Sequence, residues 1–143
     1  MNRRPGRVFK IAVIVVIIAA VVVGYSWVYT TTQLQKARSR GVYPSAEAGM
    51  RSQIEAGYIG VHKIEIDQSG PDSFFGSYKN VWYVIAKVWA DSRFDGSRVG
   101  AGPYPYDWPG TYFLYVGDGW VHMPEHEHPV FIGFWMKFFR MAG

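Results

Sequence analysis

The chain has 143 residues, 49% of them hydrophobic and 17% aromatic, with a net charge of +4 and no cysteine. That length allows a single domain, and the missing thiols exclude disulfide scaffolds, thiolate metal sites and cysteine nucleophiles. The charge is uneven: Arg3, Arg4, Arg7 and Lys10 carry +4 by themselves, while beyond residue 41 eight basic residues face eleven acidic ones, a net of −3. A folded part that is slightly acidic argues against a nucleic-acid partner.

Residues 11–28, IAVIVVIIAAVVVGYSWV, hold no charge. As a helix they rise about 27 Å, close to the ~30 Å of a bilayer's hydrocarbon. Tyr25, Trp27 and Tyr29 gather at the C-terminal end, where amphipathic rings favour the headgroup level, and Lys10 can snorkel at the other. A cleaved signal peptide is the alternative, but its apolar region runs to about 7–15 residues and ends at a small-x-small site, which is missing here. The expected organisation is a cytoplasmic basic N-terminus (1–10), a transmembrane anchor in the lipid bilayer (11–29), a linker or frayed helical extension (30–43) and an extracytoplasmic α+β domain (44–143). Four basic residues before the span place the N-terminus inside and the domain outside by the positive-inside rule.

Pro44-Ser45 opens a helix with Ser45 as N-cap, Glu47 in the first turn, and Ala46, Met50, Ile54 and Tyr58 on one stripe. HKIEID alternates as a half-buried strand with Ile64 and Ile66 inward. In the next strand, from residue 81, Trp82, Val84, Ala86, Val88 and Ala90 share an apolar face, which predicts a central position in the sheet.

Residues 92–110 read as one long connection carrying Tyr104, Tyr106 and Trp108, either a lid on the sheet edge or a recognition surface. TYFLYVGDGWVHM is a hairpin. A type I′ turn at Asp118-Gly119 sets Leu114 opposite Met123 and Tyr115 opposite His122, and puts Leu114, Val116, Val121 and Met123 on one apolar face. The chain closes with a helix from Pro129, PVFIGFWMKFFR, whose Gly133, Lys137 and Arg140 share a narrow face while aromatic and aliphatic residues fill the rest. So broad an apolar arc needs the sheet and a second surface: the membrane interface or a partner.

The predicted fold class is α+β: an N-terminal transmembrane helix, then a small antiparallel sheet with helices on one face, cystatin-like or NTF2-like by analogy of element order alone. The segments VWYVIAKVWADSRFDGS, GTYFLYVGDGWVHMPE and FIGFWMKFF resemble a group of uncharacterised single-pass extracytoplasmic proteins of Gram-positive bacteria, over residues 47–143. The resemblance implies a location at the outer face of the cytoplasmic membrane and assigns no activity or ligand.

The densest chemistry is WVHMPEHEHP. His122, His126 and His128 with Glu125 are the candidate metal ligands, although Pro124 breaks any helix joining His122 to His126 and the spacing matches no established zinc motif. The histidines beside carboxylates also allow a pH-sensing reading. The simplest account makes 125–128 a solvated connector, with Glu127 near the positive end of the terminal helix. No nucleophile motif or phosphate loop is present, so neither enzymatic activity nor a cofactor is expected. The function expected is a membrane-anchored module that binds another membrane or envelope protein through Tyr104, Tyr106, Trp108 and Trp135, the alternative being a metal-dependent role for the histidine cluster.

Overall fold

The computed structural model describes residues 6–71, 79–93 and 104–141, with only the backbone for 104–109. Its elements run α1 (Arg7–Arg40), α2 (Ala46–Gly57), β1 (Tyr58–Pro71), β2 (Val81–Arg93), β3 (Tyr104–Tyr115), β4 (Trp120–Met123), a 3-10 turn (Glu125–Glu127) and α3 (Pro129–Phe138). The strands form one antiparallel sheet in the order β1-β2-β3-β4, which leaves β2 in the interior as its apolar face predicts.

α1 is a single helix of 34 residues, about 51 Å at ~1.5 Å per residue. An 18-residue window in it reaches a mean hydropathy of 2.8 with none of its surface buried, so the helix is long and apolar enough to cross a membrane. The expected linker is helical as far as Arg40 and belongs to the fold: its Thr30 and Ala37 are buried, on the same side as Ser26 of the preceding run. That regularity follows from packing, because a polar segment with little apolar periodicity gains helical order when one face is covered.

α2 forms where its signals stand. The Ser45 side chain accepts a hydrogen bond from the Ala48 N–H at 3.0 Å, and Ala46, Met50, Ile54 and Tyr58 are all buried. They meet Val84, Ala86, Val88 and Ala90 of β2 and Phe113 of β3 in one core. The opposite side of the sheet holds a second core, where Val81, Leu114, Val121 and Met123 pack with Ala37 of α1 and with Ile132 and Met136 of α3. Helices therefore cover both faces, and the expectation of a single covered face is corrected. The neighbouring Phe113 and Leu114 of β3 point to opposite faces and both are fully buried, so each face demands its own cover. Every fully buried Leu, Ile or Met contributes about 1.5–3 kcal/mol.

The hairpin turns one residue earlier than expected. Val116 N–H donates to Gly119 O at 2.9 Å, which leaves Gly117-Asp118 as the two central residues, with Gly117 at φ 95°. Leu114 then faces Val121, Phe113 faces His122 and Tyr115 faces Trp120. A shift of one in the turn moves the pairing by two, so parity survives and the predicted apolar face is intact. Gly119 has its own reason to be glycine: a Cβ there would lie 2.7 Å from Tyr43 O.

The expected long connection is strand at both of its described ends. β2 extends to Arg93 and β3 begins at Tyr104, placing Trp108, Tyr106 and Tyr104 opposite Ala86, Val88 and Ala90. Residues 94–103 lie outside the described part.

Candidate functional site

The most heavily built region is where the end of α1 meets the hairpin and the segment leading to α3. Lys36 and Arg40, one helical turn apart, converge on Glu127. Arg40 donates through Nη1 and Nη2 to the two carboxylate oxygens at 2.9 and 2.7 Å, and Lys36 Nζ adds a contact of 2.9 Å. Glu127 is 3% exposed, so the solvated connector expected here is corrected: its central carboxylate is buried because two cations come to it from another element. The Arg40 hydrogen bonds outweigh the burial that opposes them and hold the carboxyl down at about 2.

Arg40 Nη2 also donates to His122 O at 3.0 Å, on the outer edge of β4. The same edge is bridged by Tyr43, which exchanges two 2.8 Å backbone hydrogen bonds with Trp120. Arg38 reaches the turn itself, with Nη1 and Nη2 donating to Asp118 at 3.0 and 2.9 Å and Nη2 to Val116 O at 2.8 Å. The Asp118 carboxyl is lowered chiefly by those Arg38 hydrogen bonds. All three basic residues after the apolar run are thus bonded to the domain, in a clamp that makes α1 and the sheet one body.

The candidate metal ligands do not meet. His122 lies on the α2 side of β4, its Nε2 2.9 Å from Thr111 Oγ1 and its ring 5.6 Å from Phe113. Burial, then the Arg40 charge, lowers its pKa, with Glu127 opposing, and the ring is kept neutral near pH 7. Glu125, His126 and His128 are exposed on the following segment, and His128 takes a left-handed φ of 55° where the chain turns into Pro129 at the start of α3. Among the described residues no group of three or more His, Asp or Glu side chains is placed to hold a metal ion.

No family model, curated protein or solved structure matches this chain. The cystatin-like and NTF2-like analogies therefore rest on element order alone.

Of the candidate partner contacts, Tyr104, Tyr106 and Trp108 have described backbones and their side chains lie outside the described part. Trp135 is half-buried within an aromatic cluster, 5.2 Å from Phe134, Phe138 and Phe139. That cluster reaches α1 twice: Phe131 meets Tyr29 at 6.0 Å, and Phe139 meets Trp27 edge-on at 4.8 Å. Beneath this seam Thr30 Oγ1, Gln33 Oε1 and Trp135 Nε1 are buried without a hydrogen-bond partner in the described structure. Beside Phe131 and Phe134 opens a groove of about 500 Å³ with Tyr112, Glu125 and His128 in its wall.

The sequence patterns assign no role to Lys36, Arg38 and Arg40, the basic residues that follow the apolar run. Residues 36 and 40 fall on one helix face, but no local pattern marks Glu127, 87 positions beyond Arg40, as their partner.

Proposed function

We propose that the chain is a single-pass membrane protein, N-terminus inside and folded domain outside, that acts as a binding module for another membrane or envelope protein. The observation that carries this reading is the clamp of Lys36 and Arg40 on Glu127. A module on a flexible tether samples many orientations, whereas one joined rigidly to its anchor offers its surfaces at fixed height and angle to a neighbour in the same bilayer. Four basic residues within the ten before the span, against three that begin eight residues after Val28, support the orientation.

The candidate contact surface is Tyr104, Tyr106 and Trp108 on β3, since aromatic residues concentrate binding energy. Crosslinking in living cells, followed by purification through a C-terminal tag, tests the reading. A discrete second protein is expected, diminished when the three aromatics are replaced by Ala. Recovery of the chain alone, with and without those replacements, rejects it.

A further inference from the structure

Where α3 crosses α1 decides what its outer face meets. Phe131 and Phe139 are separated by eight positions, about 12 Å of helix rise, yet they touch Tyr29 and Trp27, only two positions or about 3 Å apart along α1. α3 therefore runs across α1 at a steep angle. Ser26 and Thr30 lie between Trp27 and Tyr29 on the helical wheel and are buried, a small-residue saddle at the seam.

The crossing coincides with the C-terminal end of the apolar run at residue 28. Ile132, Gly133 and Met136 of α3 turn toward the sheet, where a Cβ on Gly133 would fall 2.2 Å from Val81 Cγ2. The opposite side carries Phe131, Phe134 and Phe138, 42%, 42% and 58% exposed, beside Trp27 at 47%. Three exposed phenylalanines on one side of a ten-residue helix make an apolar patch of the kind that marks a membrane or partner contact.

We infer that α3 is an interfacial helix whose Phe131, Phe134 and Phe138 face is seated in the headgroup region of the bilayer that α1 crosses. The occupant is lipid because the face is continuous with the apolar surface of α1 and stands at the level where its uncharged span ends. A helix along the bilayer normal and a second one steeply across it give the geometry of a span and an in-plane amphipathic helix, the latter burying its apolar side about 5–10 Å deep. The exposed Lys137 and Arg140 stand off that face, where cations can meet anionic headgroups. This inference rests on the anchor reading of α1.

The test uses the full chain reconstituted into phosphatidylcholine–phosphatidylglycerol vesicles. Since the chain has no cysteine, Ile18→Cys, Glu55→Cys, Phe131→Cys, Phe134→Cys and Phe138→Cys each give one site for a nitroxide label, with the fold checked by circular dichroism. Oxygen partitions into hydrocarbon and a nickel chelate into water, so their ratio reports depth. Labels at 131, 134 and 138 are expected to favour oxygen several-fold relative to the label at 55, on the exposed side of α2. If they relax like position 55 while position 18 remains in lipid, the inference falls and the anchor stands. Shielding of at least two of the three from both reagents places a protein there and also overturns it. Nickel access at position 18 rejects the anchor reading itself.

Discussion

Arg40 grips Glu127 with two hydrogen bonds, 2.9 and 2.7 Å, across 87 positions of chain. The pair fastens the end of the apolar helix to the segment that launches α3, so two elements with no sequence proximity are held in one geometry. Breaking it should be costly because Glu127 stays buried.

Arg40→Met keeps the aliphatic length and removes the fork. Lys36 remains, so the expected loss is about 1–3 kcal/mol, less than the ~3–5 kcal/mol of a fully orphaned buried charge. Thermal melts of the detergent-solubilised full chain measure it. Arg40→Met with Glu127→Met should recover part of the loss, whereas a single variant that melts with the parent would show that the clamp does not hold the fold.

Acid should loosen the same joint. The Glu127 carboxyl is lowered from 4.5 to about 2, so its contribution, of order 3 kcal/mol, is fully present above pH 4.5 and is lost as the pH falls toward 2. His122 works in the same direction from higher pH. Its lowered pKa means that the unfolded chain takes up a proton first, so its stability contribution is present above 6.5 and declines below it. Urea melts from pH 7 to 2 should show falling stability, with a shallower slope below pH 4.5 in Glu127→Gln. An unchanged slope would remove Glu127 from the account.

Gly133→Ala gains about 1 kcal/mol of helix propensity and still should destabilise. The new methyl would sit 2.2 Å from Val81 Cγ2, forcing α3 off the sheet at a net cost of about 1–3 kcal/mol. Pairing it with Val81→Ala should restore part of the loss, and a melt of Gly133→Ala at or above the parent would contradict the packing.

Thr30→Val is expected to raise stability by about 0.5–1 kcal/mol. Thr30 is fully buried and its hydroxyl has no partner, so an isosteric methyl removes an unsatisfied group without opening a void. A lower melting temperature would mean that the hydroxyl finds a partner in the folded protein.

Zinc should leave the melting curve unchanged. His122 is bonded to Thr111 while His126 and His128 face outward, so among the described residues no three donors converge. Retention of a full equivalent by untagged protein after desalting would reverse this.

Periodicity determined much of this protein without help. The helix of the apolar run, the Ser45 cap, the Ala46-Met50-Ile54 stripe and the alternating face of β2 are local signals that each formed as read, while Tyr58, the last member of the stripe, opens β1 and still joins the same core. The hairpin's faces were legible too, because a slip of two preserves parity, although the turn itself fell one residue earlier than Asp118-Gly119. What tertiary structure alone decided were relations between distant residues. A charge in a connector is indistinguishable by pattern from a solvated one, and only the approach of Lys36 and Arg40 made Glu127 an internal ion. Likewise, an all-round apolar helix signals a need for cover on several sides, and only the crossing at Ser26 and Thr30 assigned one side of α3 to the sheet and left Phe131, Phe134 and Phe138 facing outward.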